Sequence, residues 1–397
     1  MPASVLVLNA GSSSIKFGLF DISAAEPTLL CKGLLDEHEA KPRLVVKSPA
    51  GEDLFDAHRQ SSDVGSGELF TDVLGFVEIR FGDHRLRAVG HRIVHGGPDY
   101  LGPVEVTDDV YTKLEQLTPL APLHQPRCLE PVRTISAIKP DLTQIACFDT
   151  AFHHSMAPPA SRFAIPRRFE ARGIRRYGFH GLSFEYVADR LAEIAPTLAT
   201  KRIVIAHLGN GASLCALRDG RSVDTTMGLT PLDGLVMGTR CGTIDPGVLL
   251  YLLREQGLSA DELQHLLYRQ SGLLGVSGLS ADMRVLLRSD SAAAREAIEL
   301  FTLRAAADIM AMANTLEGLQ CLVFTGGIGE HSAEVRAAIC ARLHWVGLRL
   351  DHAANAASAK TIHADDSKVD IRVISTSEET SIARHCHAWL STRVKST

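Results

Sequence analysis

The sequence predicts an α/β protein made of two related halves, on three observations. A device occurs twice: Val5-Leu-Val-Leu-Asn9-Ala-Gly11-Ser12-Ser-Ser14-Ile-Lys16 and Ile203-Val-Ile-Ala-His207-Leu208-Gly209-Asn210-Gly211-Ala-Ser213. Each copy reads as an apolar strand, a turn of Gly, Ser and Asn, and a second apolar strand. Short apolar runs also alternate with helix-spaced segments along the chain. Finally, 397 residues argue for two cores rather than one. A turn of this composition suits a phosphate, because glycine lets backbone N–H groups approach the anion and hydroxyls add donors. Two such turns about 200 residues apart point to a duplicated domain holding a nucleotide between its halves.

The elements follow in order. After the first strand pair, Val45-Val46 and residues 86–89 read as strand pieces, and residues 68–80 have helical apolar spacing. Residues 60–67 are small and polar, as in a surface loop. Residues 145–148 form a strand ending at Asp149. Residues 157–176, rich in Pro and Arg, are the candidate domain crossing. The pattern restarts at Lys201. A helix is expected over 258–270, with Ser259 and Glu262 as a capping box. A long alanine-rich helix spans 292–319 and is mostly buried. A buried strand, 321–324, runs into Gly326-Gly327-Ile328-Gly329-Glu330 and another helix. The strand 371–374 and a helix from Glu378 to about Val394 close the chain. Gly272-x-x-Gly275-x-x-Gly278 reads as a loop.

Composition excludes several classes. A net charge of −5 offers no basic excess for a general nucleic-acid binder. No apolar run approaches the roughly 18 residues of a membrane span, and the N-terminus lacks the pattern of a secretory signal. Eight scattered cysteines without a C-x-x-C pair fit buried free thiols in a reducing cytoplasm. No Gly-Lys dipeptide occurs, so a nucleotide site here is not a Walker P-loop.

Several residues stand in surroundings that ask for a ligand. Asn9 to Lys16 offers an amide, three hydroxyls and a cation, although a polar hairpin has the same composition. Gly326 to Glu330 opens a helix, where N–H groups face an anion. Arg92 and Arg240 are each flanked by glycines and apolar residues. A guanidinium there needs a phosphate, a carboxylate or an internal aspartate. Asp149 sits at a strand end, where α/β ligand sites gather. His180, between Phe179 and Gly181, is either a satisfied core histidine or a site group. His153-His154 and His385-Cys386-His387 lack metal spacing and read as structural. Glu378-Glu379 either caps a helix or serves Mg²⁺, which needs only one or two carboxylates beside substrate phosphates.

Together these strings resemble the acetate kinase (acetokinase) family, within the superfamily of acetate and sugar kinases, heat-shock protein 70 and actin. Gly90-His-Arg-Ile-Val-His-Gly-Gly97, Phe148-Asp-Thr-Ala-Phe-His-His154, Arg176-Tyr-Gly-Phe-His-Gly181, His207-Leu-Gly-Asn-Gly-Ala-Ser213 and Phe324-Thr-Gly-Gly-Ile-Gly-Glu330 occur in family order, nearly end to end. The resemblance implies two duplicated actin-like (ribonuclease H-like) domains, with the active site in the interdomain cleft. The first would be 1–150 plus the returning helix at 375–397. The second, 151–374, would bind the nucleotide and form a homodimer. It implies cytoplasmic, reversible transfer of the ATP γ-phosphoryl group to acetate, giving acetyl phosphate and ADP. Mg²⁺ would be the metal, with Mn²⁺ as a substitute, and no nucleic acid or membrane would take part. Asn9 and Glu378 would serve the metal. Ser12, Ser14, Lys16, His207, Leu208, Gly209, Asn210, Gly211, Asp282, Met283, Arg284, Gly326, Gly327, Ile328, Gly329 and Glu330 would bind ATP. Arg92 and Arg240 would hold acetate and the group in transfer, and His180 would steady the transition state. Asp149 would stand at the acid/base position, with His124 beside the pocket. Val94, Leu123, Phe179 and Pro231 would enclose the acetate methyl. An acetate carboxylate is already ionised at pH 7, so orientation suits Asp149 better than proton removal.

The sequence departs from the family pattern at Cys241 and Thr243 after Arg240, at Ser377 before Glu378, and at Gln125 after His124. Propionate fits the same reading, because one methylene changes affinity by only about 1–3 kcal/mol. Competing readings are butyrate kinase, an ATPase or filament module on the same fold, and an inactive homologue. Arg92, Arg240 and His180 weigh against the last two, since hydrolysis by water needs no carboxylate clamp.

Overall fold

Both glycine turns join buried antiparallel strands, and each strand pair seeds one sheet. The computed structural model describes residues 1–11, 14–36, 43–58 and 66–394. Ser12, the side chain of Ser14 and residues 60–65 of the expected loop lie outside them. The chain divides into unit 1, Met1–Ala151 with Ser377–Thr397, and unit 2, Phe152–Thr376.

In unit 1, β1 (Ala3–Ala10) pairs antiparallel with β2 (Ser14–Asp21), and β2 with β3 (Thr28–Asp36). Then β4 (Arg43–Lys47) and β5 (Asp53–His58) extend that edge. On the other side, β6 (Arg85–Ile93) runs parallel to β1. Beyond it lie β7 (Val104–Glu105) and β8 (Thr143–Phe148), with β8 parallel to β6 and β7 antiparallel at the edge. β1 reads as an unbroken apolar run because both of its faces are covered. Leu6 and Leu8 pack with Phe17, Phe70, Val73 and Ile135. The helix Glu378–Val394 packs on β1, β6 and β8. It comes so close that a Cβ at Gly90 would lie 2.5 Å from Cys386 Sγ, so only glycine admits it.

Unit 2 repeats the plan. β9 (Ile203–Leu208), β10 (Ala212–Arg218) and β11 (Arg221–Thr225) form an antiparallel meander. β12 (Cys321–Thr325) and β13 (Asp370–Val373) continue from β9 in parallel. The order β11-β10-β9-β12-β13 matches β3-β2-β1-β6-β8 strand for strand and in direction. The duplication expected from the two turns is therefore carried by the whole central sheet. Helix Gly181–Ile194 covers one face through Phe184, Val187 and Leu191. The helix Ala292–Leu316 packs on β9, β10 and β11. Among the described residues no helix is long and apolar enough to cross a membrane.

Three expectations need correction. Gly272 to Gly278 is not a loop: Gly272–Ser277 is helical, and Gly278 ends it at φ 60°. Gly272 is required by close approach, since a Cβ there would lie 2.2 Å from the Met237 carbonyl oxygen. The long helix stops at Leu316 rather than Leu319, because Glu317 turns left-handed at φ 60°. The Pro- and Arg-rich stretch 157–176 lies inside unit 2 and is not the crossing. Arg176 within it is structural: its Nη1 donates to the carbonyls of Thr225, Thr226 and Met227 at 2.8–3.0 Å.

Candidate active site

In unit 1 the parallel pairing of β6 and β8 brings Arg92 and Asp149 to neighbouring strand ends, where ligand sites of α/β sheets form. Asp149 is 1% exposed. Arg92 grips it in a two-pronged pair, Nε to Oδ1 at 3.0 Å and Nη2 to Oδ2 at 2.7 Å. The aspartate alternative raised by the sequence is thus realised for Arg92. Its third nitrogen, Nη1, donates to Asn9 Oδ1 at 3.2 Å. Asn9 Nδ2 in turn donates to Glu378 Oε2 at 3.0 Å and to Glu379 Oε1 at 2.9 Å. Burial works against the Arg92 charge, but the neighbouring Asp149 and Glu378 carboxylates outweigh it and hold its pKa above the ordinary value.

Asn9 lies opposite Lys16 in the β1–β2 register, so the exposed Lys16 shares its face. Val94 is buried, and Leu123 and His124 are half-buried just before the helix Gln125–Ile138. Gln125 was noted only as a departure, yet it is fully buried and braces the loop after Arg92. Its Oε1 accepts from His95 N at 3.1 Å, and its Nε2 donates to the carbonyls of His95 and Leu114.

In unit 2, His180 stands just before helix Gly181–Ile194 with φ 57°, a left-handed conformation unusual outside glycine. Its ring stacks on His207, centroids 4.3 Å apart and planes 20° apart. Each ring's Nδ1 is tied to a buried serine: His180 to Ser213 Oγ at 2.9 Å, His207 to Ser183 Oγ at 2.8 Å. A Cβ at Gly211 would lie 3.2 Å from His180 Nε2 and 2.6 Å from Arg240 Nη2, so both groups converge on the turn Gly209–Gly211. Arg240 Nη1 donates to the Pro231 carbonyl. The loop bearing Arg240 is clasped by helix Gly272–Ser277, with Leu273 N donating to Met237 O at 2.8 Å and Leu274 N to Gly238 O at 2.9 Å. The glycines expected in a loop therefore position a candidate site residue.

The remaining candidates divide. Phe179 is 1% exposed, and its carbonyl meets His153 Nε2 at 3.0 Å; Pro231 and Leu208 are buried and Asn210 exposed. His153 itself is a core residue, its other nitrogen 2.8 Å from Ser222 Oγ. Helix Gly326–His331 begins inside the glycine string. Its Gly327 N would lie 3.9 Å from a Cβ on Gly209, so the two glycine turns adjoin. Ile328 and Gly329 form the turn behind it. Glu330 Oε1 points back and accepts from Gly326 N at 3.0 Å and Thr376 N at 3.1 Å. Asp282 caps the short helix Met283–Leu287 and pairs with Arg284, whose side chain is 82% exposed, while Met283 is buried.

The acetokinase family profile matches residues 4–384. Acetate kinase of Rhodopseudomonas palustris strain TIE-1 is 50% identical over 387 residues, 96% of this chain and 97% of that one. Acetate kinase of Methylocella silvestris is 47% identical over 398 residues, 98% of each. Among solved structures, a propionate kinase from Francisella tularensis superposes with a TM-score of 0.89 at 38% identity, covering 96% of this chain and 98% of that one. Porphyromonas gingivalis acetate kinase gives 0.85 at 35% identity, with coverage of 98% and 100%.

Proposed function

The chain belongs to the acetokinase family and is a phosphotransferase with a carboxylate acceptor; from that premise we propose that it transfers the γ-phosphoryl group of ATP reversibly to acetate, giving acetyl phosphate and ADP. The observation that carries the reading is the convergence of Arg240 Nη2 and His180 Nε2 on Gly211. Phosphoryl transfer asks a protein mainly for positioning and charge neutralisation. Acceptor and donor are both anions, so Arg92 and Arg240 offset their repulsion. Asp149 orients Arg92 through the two-pronged pair and removes no proton, because acetate arrives ionised. His180 donates toward the transferring group. Val94, Leu123, Phe179 and Pro231 contribute the apolar surface for the methyl group. The turn at His207–Gly211, the string Gly326–Glu330, residues Asp282–Arg284, and Ser12, Ser14 and Lys16 bind the nucleotide. Transfer is direct, without a phosphoenzyme.

The donor set suits Mg²⁺: the carboxylates of Glu378 and Glu379 are hard oxygen ligands, held side by side by one Asn9 amide. Mg²⁺ usually takes one or two carboxylates, with substrate phosphates and water completing its shell. When bound, the ion neutralises phosphate charge; Glu378 would hold it and Asn9 would orient Glu378. A homodimer and a cytoplasmic setting complete the reading. The exposed Val248, Leu250, Tyr251 and Leu253 of helix Pro246–Arg254 support the dimer, which sedimentation of the full chain would register.

The test is hydroxylamine trapping of acyl phosphate from Mg-ATP and acetate, beside propionate, butyrate and no-acid controls. We expect hydroxamate with acetate and a loss of about 10²–10³ in Arg240→Ala. ATP hydrolysis without hydroxamate for any acid would sink the proposal. The likeness to a propionate kinase supports a second reading, in which propionate is the better acceptor, and the same assay ranks the two.

A further inference from the structure

The two glycine turns of unit 2 are joined by a chain of hydroxyl contacts. Glu330 Oε1 accepts from Gly326 N at 3.0 Å and from Thr376 N at 3.1 Å. Thr376 Oγ1 lies 2.8 Å from Ser183 Oγ, and Ser183 Oγ lies 2.8 Å from His207 Nδ1. Ser183 is fully buried at the start of helix Gly181–Ile194, so its hydroxyl has no recourse to bulk water.

One hydroxyl carries one proton, which leaves two consistent arrangements. If Ser183 donates to Thr376, His207 must carry its proton on Nδ1, and Nε2 is a bare lone pair. If Thr376 donates to Ser183, then Ser183 donates to His207 Nδ1, and the ring proton sits on Nε2. Nε2 faces the glycine turn, 3.7 Å from where a Cβ of Gly209 would lie. A lone pair there would repel a phosphate oxygen, whereas an N–H would bind it.

We propose that Ser183 and Thr376 are positioning residues that hold His207 in the tautomer protonated on Nε2, making it a fixed donor to a nucleotide phosphate. The inference rests on the nucleotide reading of the His207–Gly211 turn. It gives Glu330 a second task, because the carboxylate that braces the Gly326 turn also fixes Thr376, the first member of the relay. It also places that member immediately before the chain leaves unit 2 for Ser377 and Glu378.

The test is a long-range proton–nitrogen spectrum of the full chain labelled with ¹⁵N-histidine at mildly alkaline pH. The His207 signals are identified by their loss in His207→Gln. We expect Nε2 of His207 to carry the proton in the unliganded protein. Ser183→Ala should mix the tautomers and raise the KM for Mg-ATP about tenfold with a smaller change in kcat, the loss of one charge-assisted hydrogen bond. The near-isosteric Thr376→Val should do the same while sparing the buried serine, and Thr376→Ser should restore both readouts. A wild-type ring protonated on Nδ1 or on both nitrogens would overturn the proposal. So would Ser183→Ala and Thr376→Val chains with unchanged tautomer and unchanged KM. A wild-type chain protonated on Nε2 that binds no Mg-ATP in calorimetry would uphold the relay and sink the nucleotide reading instead.

Discussion

In unit 1, Arg92 is seated on a carboxylate that is 1% exposed; in unit 2, Arg240 is seated on the backbone carbonyl of Pro231. Both arginines belong to units that share five equivalent strands. A carboxylate orients a guanidinium and also compensates its charge, while a carbonyl orients it without that compensation. His180 and His207 of unit 2 are likewise held by neutral groups, each through Nδ1 by a serine. The Arg92 cluster of unit 1 thus depends on an ion pair for its own geometry. The stacked pair His180 and His207 is held in place by neutral partners.

The largest effects should separate the units by what is lost. Arg92→Ala leaves Asp149 buried without its main partner, which costs about 3–5 kcal/mol of stability along with activity. Gly211→Ala should instead push the new methyl group into Arg240 and His180, and lose about 10²-fold in kcat with little change in stability. Chemical denaturation and hydroxamate formation on both variants read the contrast. Equal stability losses in the two would erase it.

Acid should reveal a weakness that the units share. Burial pushes His91 in unit 1 and His153 in unit 2 down to about 4, and the ordinary histidine value is 6.5. The unfolded chain therefore binds more protons between those values, so stability is full above about pH 6.5 and falls as pH drops toward 4. Each ring contributes up to about 3 kcal/mol to that loss. Denaturation midpoints measured across this window should fall in wild type. His153→Gln should flatten the fall. A stability profile independent of pH from 6.5 to 4 would refute the assignment.

The smallest expected effect lies at helix ends. Ser259 and Glu262 form the complete capping box at Ala260–Arg269 in unit 2, whereas Thr107 caps Asp108–Glu115 in unit 1 with a single bond to Val110 N. Ser259→Ala should cost about 1 kcal/mol and Thr107→Ala somewhat less, as thermal midpoints would show.

What was legible in the sequence was local. Strand, turn and strand at Asn9 and His207, the box at Ser259 and the helix opening at Gly326 are each written in a few consecutive residues. The Arg92–Asp149 pair was not, because 57 positions separate the partners and only the register of β6 with β8 joins them. Gly272 was misread for the same reason. Its small size answers to a carbonyl at Met237, not to its neighbours in sequence. The stretch 157–176 looks like a linker by composition, but Arg176 is held by three carbonyls that no local pattern announces. Ser183 and Thr376 carry no signal at all, since a serine early in a helix and a threonine after a strand are commonplace.

The helix Glu378–Val394 returns to the sheet that holds the first residues of the chain. During synthesis from the N-terminus, unit 2 is complete once Thr376 has emerged. Unit 1 must wait for the helix that brings Glu378 to Asn9 and lays Cys386 against Gly90. The half begun first is therefore finished last, and a ribosome that stops short of that helix releases a chain with one whole domain and one open sheet.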